Sequence, residues 1–94
     1  MMIETVMKKI ESYLSGKISA EDFSYDFPVT YSLHAKQLDQ KNPTFSRLME
    51  EEMKPLCQKF DPFNFYNLPQ GKVLDEDAFR SQVQAIYNKA KTLI

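Results

Sequence analysis

The sequence has little of what most functional motifs require. Its 94 residues contain one cysteine, one histidine and two glycines. A lone cysteine, Cys57, leaves no internal disulfide, so stability has to come from packing rather than from an oxidising compartment. One histidine, His34, with one cysteine falls short of the three or four nitrogen and sulfur ligands that a zinc site takes, so no metal is expected. Gly16 and Gly71 are too few and too far apart for the glycine-rich loops that cradle phosphates, which excludes a nucleotide cofactor of either common kind. Long apolar runs are also missing. A membrane helix needs roughly 18 or more such residues, and the N-terminus lacks a signal-peptide core, so the reading is cytoplasmic with no membrane contact.

Hydrophobic residues make up 43% and charged residues 27% of the chain, the balance of a folding globular sequence. Its length suits one hydrophobic core, and residues 1–94 are read as a single domain. The net charge of −1 argues against nucleic acid as a partner, because phosphate binders cluster Lys and Arg. The acids are nonetheless regional. Seven (Glu50, Glu51, Glu52, Asp61, Asp75, Glu76, Asp77) stand against Lys54, Lys59 and Lys72 between positions 50 and 77, a local charge of −4. Two explanations compete: acids gather at helix starts and on solvated faces, or they meet a basic partner.

Periodicity predicts four helices. Ile3, Val6, Met7, Ile10, Tyr13 and Leu14 make one amphipathic stripe, which Gly16 stops. Ser19 followed by Glu21 and Asp22 is close to a capping box and opens a second helix with apolar positions Phe23, Phe27, Tyr31, Leu33, Ala35 and Leu38. Pro28 falls inside it, which predicts a kink or a break. The short turn between these helices predicts a hairpin. Asn42 and Pro43 open a third helix with Phe45, Leu48, Met49, Met53, Leu56, Cys57 and Phe60 on one face, bent at Pro55. Asp61 to Leu74 reads as the longest loop, and its aromatics Phe63, Phe65 and Tyr66 either plug the end of a bundle or stand exposed for contact. Asp75 caps the last helix, whose buried stripe is Phe79, Val83, Ile86, Tyr87, Ala90 and Leu93 or Ile94. The expected fold is all-α: an antiparallel four-helix bundle with proline-kinked helices and a longer loop between helices 3 and 4.

Catalysis finds little support in these residues. Cys57 lies on an apolar face, where burial makes a thiol inert, and His34 has no second ligand at helical spacing. The acids Glu50 to Glu52 would need a cleft to act as a hydrolytic pair, and a bundle of this size offers little room for one. The chain is therefore read as a binding protein and not an enzyme, with no cofactor.

The run Lys17-Ile18-Ser19-Ala20-Glu21-Asp22-Phe23 after a short amphipathic helix resembles the opening of the colicin D-type immunity proteins, including those of contact-dependent growth inhibition systems. Phe60-Asp61-Pro62 is similar to that family's Phe-acid-Pro element, and Leu74-Asp75-Glu76-Asp77 before a lysine-bearing helix is similar to its ending. The resemblance implies a four-helix bundle that binds a tRNA-cleaving toxin and covers its active site with acidic side chains standing in for phosphates. It matches Asp61 to the acid before proline and Glu50 to Glu52 to the acidic start of the third helix. Gln58 and Phe63 depart from it, since they occupy places that the family fills with acids. Either a different toxin is met, with Phe63 and Tyr66 as apolar anchors, or only the bundle is shared. The expected partner surface thus comprises Glu50, Glu51, Glu52, Asp61, Phe63, Tyr66, Asp75, Glu76 and Asp77. The alternative is an adaptor bundle that receives a partner helix in a groove beside Pro28 or Pro55, which exposure of Met49, Met53 and the aromatics as one patch would support.

Overall fold

Gly16 ends the first helix by a specific backbone geometry. In the computed structural model, which describes residues 2–60 and 74–94, α1 (Met2–Leu14) closes with Gly16 at φ 83°. The Gly16 and Lys17 amides donate to the Tyr13 and Ser12 carbonyls at 3.0 and 2.8 Å, the paired bonds of a Schellman turn. Glycine reaches this left-handed conformation without the steric cost that a Cβ brings. Ser19 then opens α2 (Ala20–Lys41) by accepting the Asp22 amide at 3.1 Å.

Pro28 does not break α2. It deprives the helix of one donor, yet the helix runs on to Lys41 because Phe23, Phe27, Tyr31 and Leu38 are all held in the core on either side of the proline. Leu33 departs from the expected stripe. It is 76% exposed, one turn from Val29 at 63%, and both lie on the outer face.

Asn42 serves three elements at once. Its amide N–H donates to the Leu38 carbonyl and closes α2, while its side-chain oxygen accepts from Phe45 N–H at 3.1 Å and opens α3 (Pro43–Leu48). Its Nδ2 donates to the Leu93 carbonyl at 2.8 Å, tying this corner to the far end of the chain. A π-helical turn (Met49–Met53) and α4 (Lys54–Phe60) follow α3 without interruption, so residues 43–60 form one rod. The chain is described again at Leu74, whose amide donates to the Lys59 carbonyl at 3.0 Å. The last helix, α5 (Glu76–Lys91), starts under the Asp75 side chain, which accepts from Ala78 N–H at 2.8 Å.

Among the described residues there are four helical rods and no strand, an all-α bundle. Contacts Asn42–Leu93, Glu52–Lys89 and Phe60–Phe79 show the 43–60 rod and α5 running in opposite senses. At one end Tyr13, Phe23, Phe60 and Phe79 bring all four rods together. Their ring centroids lie 4.5 Å apart for Phe60–Phe79 and 4.9 Å for Tyr13–Phe23, both stacked. Arg80 clamps the same end from outside, donating to the Leu14 carbonyl and lying 5.3 Å over the Tyr13 ring. On the other side of the core, the buried Tyr31 hydroxyl sits 2.7 Å from Ser46 Oγ, which donates to Asp39 and so fastens α2 to α3.

Candidate protein-binding surface

The glutamates at 50 to 52 occupy the one irregular turn of their rod. Proline at 55 cannot donate to the Glu51 carbonyl, and its ring crowds that oxygen in a regular helix. The backbone answers one turn upstream: Lys54 N–H donates to the carbonyl of Met49, five residues back instead of four. Such widened turns are rare in helices and recur at functional sites. Here the widening sorts side chains. Met49 and Met53 are both fully buried, while Glu50, Glu51 and Glu52 are all exposed. In a regular α-helix Glu52, three residues after Met49, would share the core-facing side with it.

The three carboxylates then have different surroundings. Glu50 pairs with Lys54 at 3.6 Å within the rod, and Glu52 reaches across to Lys89 of α5 at 3.3 Å. Among the described residues Glu51 has no ion-pair or hydrogen-bond partner. Glu51 and Glu52 also line two hollows between the rod and α5. One, of about 340 Å³, is walled by Pro55, Leu56, Lys59, Gln82, Ala85 and Ile86 as well. The other, of about 230 Å³, lies toward Arg47, Lys89 and Leu93. Both hollows are lined by Glu51 and Glu52, so they adjoin at these carboxylates as one furrow along the rod.

Asp75, Glu76 and Asp77 belong to a separate patch. They stand at the start of α5, whereas Lys89, beside Glu52, lies thirteen residues on, about 20 Å along the axis at ~1.5 Å per residue. Asp75 spends its carboxylate on the helix cap, and Glu76 and Asp77 sit in the first turn, where the helix dipole favours them. Thus the helix-start explanation of the acids holds for these three and does not reach Glu50 to Glu52. Asp61, Phe63, Phe65 and Tyr66 lie outside the described residues, as do positions 61–73 of the loop expected from Asp61 to Leu74.

Two expectations of the adaptor reading part company. A groove does lie beside Pro55, but Met49 and Met53 are buried and supply no exposed methionine patch. The methionines face inward because the stripe Phe45, Leu48, Met49, Met53 and Leu56 is needed whole to fill the space between α2 and α5.

Cys57 is buried, and the apolar surroundings push its thiol well above the ordinary range, which leaves it unreactive. His34 is half-buried on α2. Among the described residues no group of three His, Cys, Asp or Glu side chains is placed to hold a metal ion, and no helix is long and apolar enough to cross a membrane.

The sequence reading placed a groove beside Pro55 but missed its α5 wall of Gln82, Ala85 and Ile86. One signal was available: Ala85 is a small, exposed residue next to the predicted buried stripe at Ile86, which leaves room on that wall. The Glu52–Lys89 pair left no such signal, because it depends on how two rods separated by 37 positions are set side by side. No family model, no curated protein and no solved structure matches this chain.

Proposed function

We propose that this chain is a cytoplasmic immunity protein that binds a cognate bacterial nuclease toxin of the tRNA-cleaving type and shields its active site with the acidic surface at Glu50 to Glu52. The observation that carries the reading is the exposure of three consecutive carboxylates in the middle of a rod, where no helix end accounts for them. A nuclease active site gathers cations to meet phosphoryl charge, so a rigid acidic surface steers encounter and occupies the same field as substrate. The nuclease identity of the partner comes from the sequence resemblance alone; the regional excess of acid and the exposure of Glu50 to Glu52 support the choice of surface.

The test is co-purification with the product of the neighbouring reading frame, followed by tRNA cleavage with and without the chain. Equimolar chain is expected to stop cleavage, with affinity falling steeply as salt rises. The reversal Glu51→Lys is expected to weaken the complex while leaving the fold intact. Unchanged affinity in that variant would remove the acidic-surface mechanism, and an absence of any complex would remove immunity itself. The second reading, an adaptor for a non-toxin partner, is favoured by the groove beside Pro55; it requires a partner segment that fills the space between Pro55 and Ile86.

A further inference from the structure

The furrow between the 43–60 rod and α5 is lined half by apolar and half by polar side chains and is unequally charged at its ends. Pro55, Leu56 and Ile86 give it aliphatic lining, and Glu51 and Glu52 place two carboxylates at one end. Lys59 lines the opposite end, seven residues farther along the rod, or about 10 Å at ~1.5 Å per residue. Glu52 is already engaged by Lys89, whereas Glu51 has no partner among the described residues. A hollow of about 340 Å³ with this distribution accommodates one long side chain whose stem is aliphatic and whose head is cationic.

We infer that this furrow is an arginine subsite: it seats one guanidinium of the partner against Glu51 and Glu52, with the arginine stem along Pro55, Leu56 and Ile86. The inference deepens the reading of a basic partner and rests on it for the identity of that partner. Arginine fits better than lysine for two reasons. Its planar fork can bond two acceptors at once, and its weaker hydration lowers the cost of leaving water for a half-apolar hollow. Lys59 adds register. It repels a second cation at the far end and favours an acid there, about 10 Å on at ~1.5 Å per residue of the rod.

The experiment is a two-dimensional NMR titration of the full ¹⁵N-labelled chain with the end-blocked tetrapeptide Arg-Leu-Leu-Glu, and with versions carrying lysine or uncharged citrulline in place of arginine. Saturable shifts are expected at the amides of Glu51, Glu52, Gln82 and Ala85, smaller with lysine and lost with citrulline. Glu51→Gln should weaken the peptide about tenfold, as expected for one lost hydrogen bond to a charged group. A second variant, Ala85→Arg, places a guanidinium on the exposed wall and should block the peptide while keeping the helical spectrum. Equal shifts with citrulline, equal shifts at Glu76 and Asp77, or no saturable shift would each overturn the subsite. Its fate is separable from that of immunity. A saturable titration with no protection of tRNA removes the immunity reading and keeps the subsite, while protection with a flat titration does the reverse.

Discussion

The two acidic patches carry the same chemistry under different obligations. At the start of α5, Asp75 closes an orphan amide and its two neighbours lie in the positive end of the helix dipole, so the charge there is part of how the helix begins. On the widened turn, Glu50 to Glu52 stand about midway along a rod, with buried methionines on one side and a furrow on the other. Charge that a helix end needs is weak testimony to function, whereas charge in mid-rod is left to a solvated face or a basic partner. Each patch also reaches one buried phenol electrostatically: Glu50 acts on Tyr31 and Glu76 on Tyr13.

The largest effect should come from the inner side of the widened turn. Met53→Ala removes a fully buried side chain and is expected to cost about 2–5 kcal/mol in denaturant unfolding, against no more than about 0.5 kcal/mol for Glu51→Gln on the outer side. Similar losses in both would mean that the turn is structural throughout.

Alkaline pH tests the two buried phenols together. Burial is the main cause that raises Tyr13 and Tyr31 above the ordinary 10.0, with Arg80 opposing it at Tyr13 and the Ser46 hydrogen bond opposing it at Tyr31. Above pH 10 the unfolded chain therefore releases phenolic protons that the folded chain retains. The associated stability is complete below pH 10 and is lost as pH rises through the folded values. In a variant with Tyr25, Tyr66 and Tyr87 replaced by Phe, helical circular dichroism and phenolate absorbance should change together in that range. Phenolate appearing with full helicity retained would contradict the burial of both rings.

A smaller, sharper contrast separates the patches. Asp75→Ala is expected to cost about 1 kcal/mol of stability through the lost cap and to leave partner affinity unchanged; Glu51→Gln should do the opposite. If Asp75→Ala weakened the complex as strongly as Glu51→Gln, the two patches would have to be one surface. The smallest effect belongs to the cross-rod pair. Lys89→Ala removes an exposed ion pair and is expected to change unfolding by at most about 0.5 kcal/mol, while freeing Glu52 and raising affinity for a cationic partner.

Helix starts and stops were legible because they are local. Ser19, Asn42 and Asp75 each accept an amide three residues on, and Gly16 takes the one conformation that glycine makes cheap. Buried positions were legible wherever a stripe ran clean, as for Phe45, Leu48, Met49, Met53, Leu56, Cys57 and Phe60. Leu33 misled because its hydrophobicity says nothing of direction: two residues after the buried Tyr31, it points to the opposite side of the helix. The prolines were legible only as sites of helix irregularity, not in the form it takes. Pro28 marks no interruption of α2, and Pro55 is answered by a turn that lies before it.

What the sequence determined by itself is the set of helices, their caps, the inward stripes and the regional excess of acid, since each follows from contacts between residues at most a few positions apart. Only the tertiary structure decided that the described acids of positions 50–52 and 75–77 stand apart, that Glu52 meets Lys89, and that Pro55 and Ala85 line one furrow. Those features depend on how rods distant in the chain are set against each other. That setting comes from packing the whole core at once, which no local spacing encodes.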